Sequence, residues 1–246
     1  MRKFGLIGRD VAYSFSQKYF SDKFEKENIT NASYQNFDIK DITEFPKILR
    51  NTKDICGFNV TIPYKEKIIP YLSHLNEDAK RIGAVNTIKI TSEGELIGYN
   101  TDFYGFKMAL EPYLEPNHSK ALILGTGGAS KAIAYALELL GIQYSFVSRN
   151  MDKGIDYTYR TLTHGIIANY PLIINCTPLG TFPNILSRPE LHYQAITSNH
   201  LLFDLIYNPE ETTFLKLGRA QEATALNGLK MLQLQAEKAW EIWNIL

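Results

Sequence analysis

The feature that most limits how this chain can fold is a junction near its middle. Ala121-Leu122-Ile123-Leu124 is a continuous apolar run. Gly125-Thr126-Gly127-Gly128-Ala129-Ser130 follows at once, and Lys131 to Leu140 then reads as a helix. An apolar run without polar alternation is the pattern of a strand covered on both faces. A glycine turn joining such a strand to a helix belongs to sheets whose strand ends feed helix N-termini. Gly125 permits the tight turn, and Gly127 lets backbone approach a pyrophosphate. The helix start then offers free N–H groups and a positive dipole end to an anion. The third glycine of the usual fingerprint is replaced by Ser130. A tight turn with no ligand is the plain alternative.

The next strand, Tyr144 to Val147, runs into Ser148-Arg149-Asn150. A site for NAD usually places a carboxylate about 20 residues beyond the glycines, to hold the ribose 2′-hydroxyl. None is present at this strand end. Arg149 suits a 2′-phosphate instead, because its planar fork gives charge-assisted hydrogen bonds. The expected cofactor is therefore NADP, and Lys153 reads as a solvated lysine.

The same alternation of short apolar runs and helix-like segments extends over the chain and predicts βαβ units and a parallel sheet. Strands are expected at Lys3 to Ile7, Ser33 to Ile39 and Gly57 to Ile62. A hairpin is expected from Asn86 to Thr91 and Glu95 to Gly98, and further buried strands at Leu172 to Ile174 and Leu202 to Ile206. Helices are expected at Ser16 to Lys26, Asp41 to Leu49, Asp102 to Tyr113 and Gly228 to Leu246. Pro46 is a weak point in the second of these. In the last, Leu229, Leu232, Ala236, Ala239, Trp240 and Trp243 share one side, and both tryptophans read as core anchors or a domain-junction contact.

Composition excludes several classes. With 246 residues, 45% of them hydrophobic, the chain can bury one large or two medium cores, so a disordered or collagen-like chain is excluded. Twenty-six basic and 26 acidic residues cancel, so the bulk positive field of a nucleic-acid binder is missing. Cys56 and Cys176 stand far apart with no CxxC, which argues against structural zinc and a disulfide framework and for a reducing, cytoplasmic setting. No apolar run is long enough for a signal peptide core or a membrane span.

Polar motifs crowd the N-terminal half. Asn59, Thr61 and Lys65 lie in Gly57-Phe-Asn-Val-Thr-Ile-Pro-Tyr-Lys65, Asn86 in Gly83-Ala-Val-Asn-Thr87, and Asp102 in Gly98-Tyr-Asn-Thr-Asp102. A lysine and an aspartate brought together can orient a substrate hydroxyl and move its proton during hydride transfer. Taken singly each has a bland alternative: Asp102 as an N-cap, Lys65 as a surface charge, Asn59 and Asn86 as turn residues.

Taken together, these segments resemble the shikimate dehydrogenase family. The resemblance covers nearly the whole chain. It runs from Gly8 to Ser16 through the motifs above and the Gly125 loop. It continues through Asn175-Cys-Thr-Pro-Leu-Gly180, Asp204-Leu-Ile-Tyr-Asn-Pro209 and Asn227-Gly-Leu-Lys-Met-Leu232, to Gln235-Ala236. It implies a two-domain α/β enzyme with a cleft between its domains. Residues 1–104 together with 227–246 would form a substrate-binding and catalytic domain, and 105–226 a Rossmann-like NADP domain. The implied reaction is reversible reduction of 3-dehydroshikimate to shikimate by NADPH, in the supply of chorismate and aromatic amino acids. Lys65 and Asp102 match the catalytic pair. Ser14 and Ser16 match the serines that bind the substrate carboxylate, with Tyr207 nearby. Thr61, Asn86 and Gln235 match residues that bind ring hydroxyls. Gly125, Gly127, Gly128 and Ala129 match the phosphate loop, and Ser148, Arg149 and Asn150 the segment that selects NADP. Thr177 belongs with the cofactor residues, and Gly228 and Met231 lie where the family approaches the nicotinamide. No metal, nucleic acid or membrane partner is implied, and the chain would act as a monomer or homodimer.

The chain departs from the family pattern at Tyr13 and Gln17, which flank the two serines in place of His and Pro. It also reads Ser-Arg-Asn for Asn-Arg-Thr at 148–150 and has Thr181 for Met. The stretch between Arg149 and Asn175 is short, which predicts a trimmed α/β unit in the cofactor domain. Rival readings are a quinate or dual quinate/shikimate dehydrogenase, a folate-type methylene dehydrogenase, and a non-catalytic module sensing NADP or a metabolite. Ser14 weighs against quinate, because a bulkier substituent at C1 needs a changed carboxylate site. The intact Lys65 and Asp102 weigh against a sensor.

Overall fold

Two sheets, each with its own core, organise the computed structural model, which describes residues 1–12 and 14–245. Tyr13, one of the family departures, and Leu246, the last residue of the expected C-terminal helix, lie outside the described residues. The chain divides into two compact units. One is Met1–Thr101 together with the chain from Ala236, and the other is Asp102–Gln235.

The first unit carries β1 (Arg2–Gly8), α1 (Phe15–Lys26), β2 (Ala32–Asp38), α2 (Phe45–Asn51), β3 (Ile55–Val60), β4 (His74–Leu75), α3 (Glu77–Ile82), β5 (Thr87–Ile90) and β6 (Leu96–Tyr99). Its sheet has the order β2-β1-β3-β5-β6-β4. It is mixed: β1 is parallel to β2 and β3, while β5 is antiparallel to both β3 and β6. The expected hairpin is the source of that reversal. The segment read as one helix from Asp41 to Leu49 is two pieces, a 3-10 turn at Ile42–Glu44 and then α2. Pro46 falls in the first turn of α2, where its missing N–H is one that no helix would use. One face of the sheet packs Ile7, Phe58, Val60, Tyr64 and Ile88; the other packs Phe4, Phe20, Phe24, Tyr34 and Trp243.

The second unit carries α4 (Asp102–Leu110), β7 (Lys120–Leu124), α5 (Gly128–Leu139), β8 (Gln143–Ser148), β9 (Tyr157–Thr158), α6 (His164–Ala168), β10 (Leu172–Asn175), β11 (Leu201–Asp204), α7 (Thr213–Arg219) and β12 (Thr224–Leu226). The helix α8 (Leu229–Asn244) begins here and continues into the other unit. Its sheet, β12-β11-β10-β7-β8-β9, is parallel throughout. The apolar run at β7 is covered on both faces as its composition requires. Ala121 and Ile123 join the core with α4, α5 and the start of α8, and Leu122 and Leu124 join the core with α6 and α7.

The short stretch after Arg149 lacks a helix but keeps a strand. Residues 149–156 contain no helix, yet β9 still pairs in parallel with β8. A parallel crossover normally needs a dozen residues or more. Eight suffice here because β9 pairs only with Val147 and Ser148, the last two residues of β8, so the chain returns over a short distance.

Candidate active site

In the first unit the polar residues singled out from sequence form a connected buried group. Asn86 is 3% exposed, and its carbonyl oxygen accepts from the Thr101 backbone N–H at 2.7 Å and from the Thr87 hydroxyl at 3.1 Å. Its amide nitrogen donates to the Thr101 hydroxyl at 3.0 Å. Asn59 donates to the Thr87 hydroxyl at 3.2 Å and accepts from the Tyr34 hydroxyl at 2.8 Å. Burial raises the pKa of that phenol, and the Ser16 side chain opposes the rise. Every polar atom so held is spared the cost of an unpaired buried group, and the group orients the residues it joins. Tyr34 was not legible as part of the site. It lies in a strand with no motif around it, and only the fold brings it to Asn59.

Ser14 and Ser16 stand at the N-terminus of α1. Ser14 is the N-cap, accepting from the Ser16 backbone N–H at 3.2 Å, and no acidic residue occupies the first turn. A helix start so arranged attracts an anion. Thr61 and Lys65 follow β3. The Thr61 N–H donates to the Ile7 carbonyl, and the Lys65 carbonyl accepts from Val85 N–H at 2.7 Å. Between them Tyr64 is 1% exposed and donates its hydroxyl to the Ile39 carbonyl. Lys65 is half-buried, with its backbone fixed on both sides.

In the second unit Asp102 is the first residue of α4 and is buried. The positive end of the helix favours a carboxylate there. Gly105, one turn on, lets α4 lie against α8: a Cβ would meet the Met231 carbonyl at 2.5 Å and Gln235 at 3.0 Å. Met231 is buried in the core on that face, while Gln235 is half-buried and donates to the Leu232 carbonyl. Tyr207 is half-buried in the loop after β11, and burial raises its phenol pKa.

The glycine turn has an open front. Gly125 adopts φ +102°, a conformation that favours glycine, and a Cβ there would press on Thr177 at 3.1 Å. Gly127 caps α5 with no side-chain hydrogen bond, and a Cβ there would meet nothing within 4 Å. Gly128 and Ala129 are the first residues of the helix. Ser130 is 1% exposed and donates its hydroxyl to the Gly127 carbonyl at 2.6 Å, so the replaced third glycine tightens the turn. Ser148 ends β8, and Arg149 and Asn150 are exposed beyond it. Gly228 is held close to the loop after β11: its N–H donates to the Ile206 carbonyl, and a Cβ would lie 2.1 Å from the Leu205 carbonyl.

Besides Tyr34, two residues have no role in the sequence reading. The Tyr159 hydroxyl is buried and has no hydrogen-bond partner among the described residues. Burial pushes its pKa up to about 12, with Cys176 raising it further and Arg149 opposing the rise. Asp204, at the end of β11, is fully buried, and burial pushes its carboxyl up to about 6 against three hydrogen bonds that lower it. Among the described residues no group of three or more His, Cys, Asp or Glu could hold a metal ion, and no helix is long and apolar enough to cross a membrane.

A family model described as the shikimate dehydrogenase substrate binding domain matches residues 6–88. The shikimate dehydrogenase (NADP(+)) of Carboxydothermus hydrogenoformans is 37% identical over 97% of this chain and 90% of the relative. The chain belongs to the shikimate dehydrogenase family. A Clostridium botulinum member with the same name is 39% identical over 97% of this chain and 95% of its own length. The shikimate 5-dehydrogenase of Thermus thermophilus, solved in complex with NADP(H) and shikimate, is 29% identical with a TM-score of 0.87, covering 99% of this chain and 93% of that one.

The residues present fit the dinucleotide used by the shikimate dehydrogenase family. An uncapped helix start behind a glycine turn with open space in front can take a pyrophosphate. A buried phenol without a partner close to Arg149 is a donor awaiting an acceptor.

Proposed function

We propose that this chain catalyses the reversible reduction of 3-dehydroshikimate to shikimate with NADPH. The observation that carries this reading is family membership over 97% of the chain, whose sequence has both Lys65 and Asp102. The first unit takes the role of substrate domain, and the second that of NADP domain. NADPH, when bound, supplies the hydride to the substrate's carbonyl carbon. Lys65 holds the carbonyl oxygen and gives it a proton as negative charge develops there. Asp102 orients the resulting hydroxyl, and in the reverse direction the pair removes its proton. Ser14 and Ser16 bind the carboxylate from the start of α1, with Tyr207 beside them. Thr61, Asn86 and Gln235 bind ring hydroxyls, which makes the site selective, since an absent hydroxyl leaves buried donors unpaired.

On the cofactor side, Gly125, Gly127, Gly128 and Ala129 hold the pyrophosphate and Thr177 lines the site. Ser148, Arg149 and Asn150 take the adenosine 2′-phosphate, and Gly228 and Met231 support the nicotinamide end. The protein acts in the cytoplasm on a small molecule, as a monomer or homodimer.

Initial rates with shikimate and NADP, followed by absorbance of the reduced cofactor, test the whole reading. NAD and quinate serve as controls. Turnover is expected with shikimate and NADP. Lys65→Ala is expected to lower kcat by roughly 10²–10⁴-fold while NADP affinity changes less than about twofold. Preference for quinate, or an equal loss of turnover and cofactor affinity in the variant, would overturn the substrate or the role of Lys65.

A further inference from the structure

Asp204 takes no part in the chemistry above, yet it is the most deeply buried carboxylate near the proposed cofactor residues. Its Oδ1 accepts from the Asn175 amide at 3.0 Å and from the Ile206 N–H at 3.1 Å, and its Oδ2 accepts from the Thr212 hydroxyl at 2.6 Å. An ionised carboxylate can only accept hydrogen bonds. It therefore turns the NH₂ group of Asn175 toward itself and the Asn175 carbonyl away. That carbonyl accepts from both the backbone N–H and the hydroxyl of Thr177, at 3.0 and 2.6 Å. The Thr177 hydroxyl oxygen in turn accepts from Leu179 N–H at 3.3 Å. Ile206, held by the same carboxylate, accepts from the Gly228 N–H. Thr212 caps α7 and packs against Gly180, where a Cβ would meet it at 3.3 Å.

We propose that Asp204 is a positioning residue for the cofactor: through Asn175 it fixes the Thr177 loop, and through Ile206 the Gly228 turn, in the arrangement that binds NADP. This rests on the reading of Thr177 and Gly228 as cofactor residues. Protonation would replace one acceptor with a donor and loosen the set. Burial places that event near neutrality, with the carboxyl at about 6. The Cys176 thiol and the Tyr193 phenol feel its charge. Burial raises both pKa values, so both stay neutral at working pH.

The test is the KM for NADP in wild type, Asp204→Asn, Thr177→Val and the double variant, from pH 5 to 8, with melting temperature as a control of folding. Asp204→Asn is expected to raise the KM for NADP about five- to tenfold at pH 8, with kcat and the KM for shikimate changed less than about twofold, as for the loss of one charge-assisted hydrogen bond. Added to Thr177→Val it is expected to cost less than it does alone, because the part of its effect that runs through Asn175 is already lost and only the part through Ile206 remains. The wild-type KM should rise on acidification through about pH 6 relative to that of Asp204→Asn, a comparison that cancels titration of the cofactor's own phosphate. Thr212→Val keeps the Asn175 contact and removes a hydrogen bond that lowers the carboxyl, so it should move that step to higher pH. Full additivity of the two substitutions, or parallel pH curves, would overturn the proposal. If Thr177→Val alone leaves the KM for NADP unchanged, the reading of Thr177 falls first and the proposal with it.

Discussion

A carboxylate with no exposed surface costs a protein stability unless its partners compensate, and at Asp204 three hydrogen bonds do not overcome burial. The sign follows from the direction of the shift. The folded-state carboxyl titrates near 6, above the unfolded value of about 3.9. Below the unfolded value both states are protonated and this group is neutral to folding. Between pH 4 and 6 the unfolded state alone ionises, so stability falls as pH rises and levels off above the folded value. The full drop is on the order of 2–3 kcal/mol. In Asp204→Asn this fall should be absent. Urea unfolding of both proteins across pH 4 to 7 checks it, and parallel curves would remove the premise. The motif containing Asp204 was visible in the sequence, but its burial was not, since nothing local to Asp204-Leu-Ile-Tyr-Asn-Pro209 says that Thr212 and Asn175 converge on it. Tyr34 was hidden for the same reason.

Among the elements, the strand, glycine turn and helix at 120–139 are the most legible, because composition and spacing there point to one backbone conformation. Their one open position gives a sharp expectation. Gly127 has ordinary backbone angles and no atom near its missing Cβ, so Gly127→Ala should change stability by less than about 1 kcal/mol. If a pyrophosphate occupies that space, the methyl group should weaken NADP binding at least about tenfold. Thermal melts and a fluorescence titration with NADPH measure the two effects, and an unchanged affinity would remove the glycine turn from the cofactor site. Elements of two to seven residues were the ones missed. The strands β4, β9 and β12 and the helices α3, α6 and α7 are too short to show a period. Their order comes from the sheets they join. The same holds for the eight-residue return from β8 to β9, whose brevity was visible while its consequence was not.

At the scale of the whole molecule, the first unit is built from two separated pieces of chain. Trp243 shows why the second piece is needed. Its ring stacks on Phe4 at 4.7 Å and lies beside Phe20 and Tyr34, and its indole N–H donates to the Ile88 carbonyl at 2.9 Å. Gly57 is glycine because a Cβ would stand 2.3 Å from that indole nitrogen. Trp243→Ala should therefore destabilise the protein by about 3–5 kcal/mol, read by denaturant unfolding. A loss below about 1 kcal/mol would mean that the C-terminal helix does not anchor this core. The sequence by itself determined the class of the fold, the glycine turn and the family, because each is written in contiguous residues whose spacing has a direct backbone meaning. The tertiary structure alone decided that the hairpin joins parallel strands in one sheet, that Trp243 completes the core of the first unit, and that Tyr34 and Asp204 join polar networks. These depend on residues far apart in the chain meeting at hydrogen-bond distance, and burial sets both the cost and the direction of such contacts only after the chain has folded.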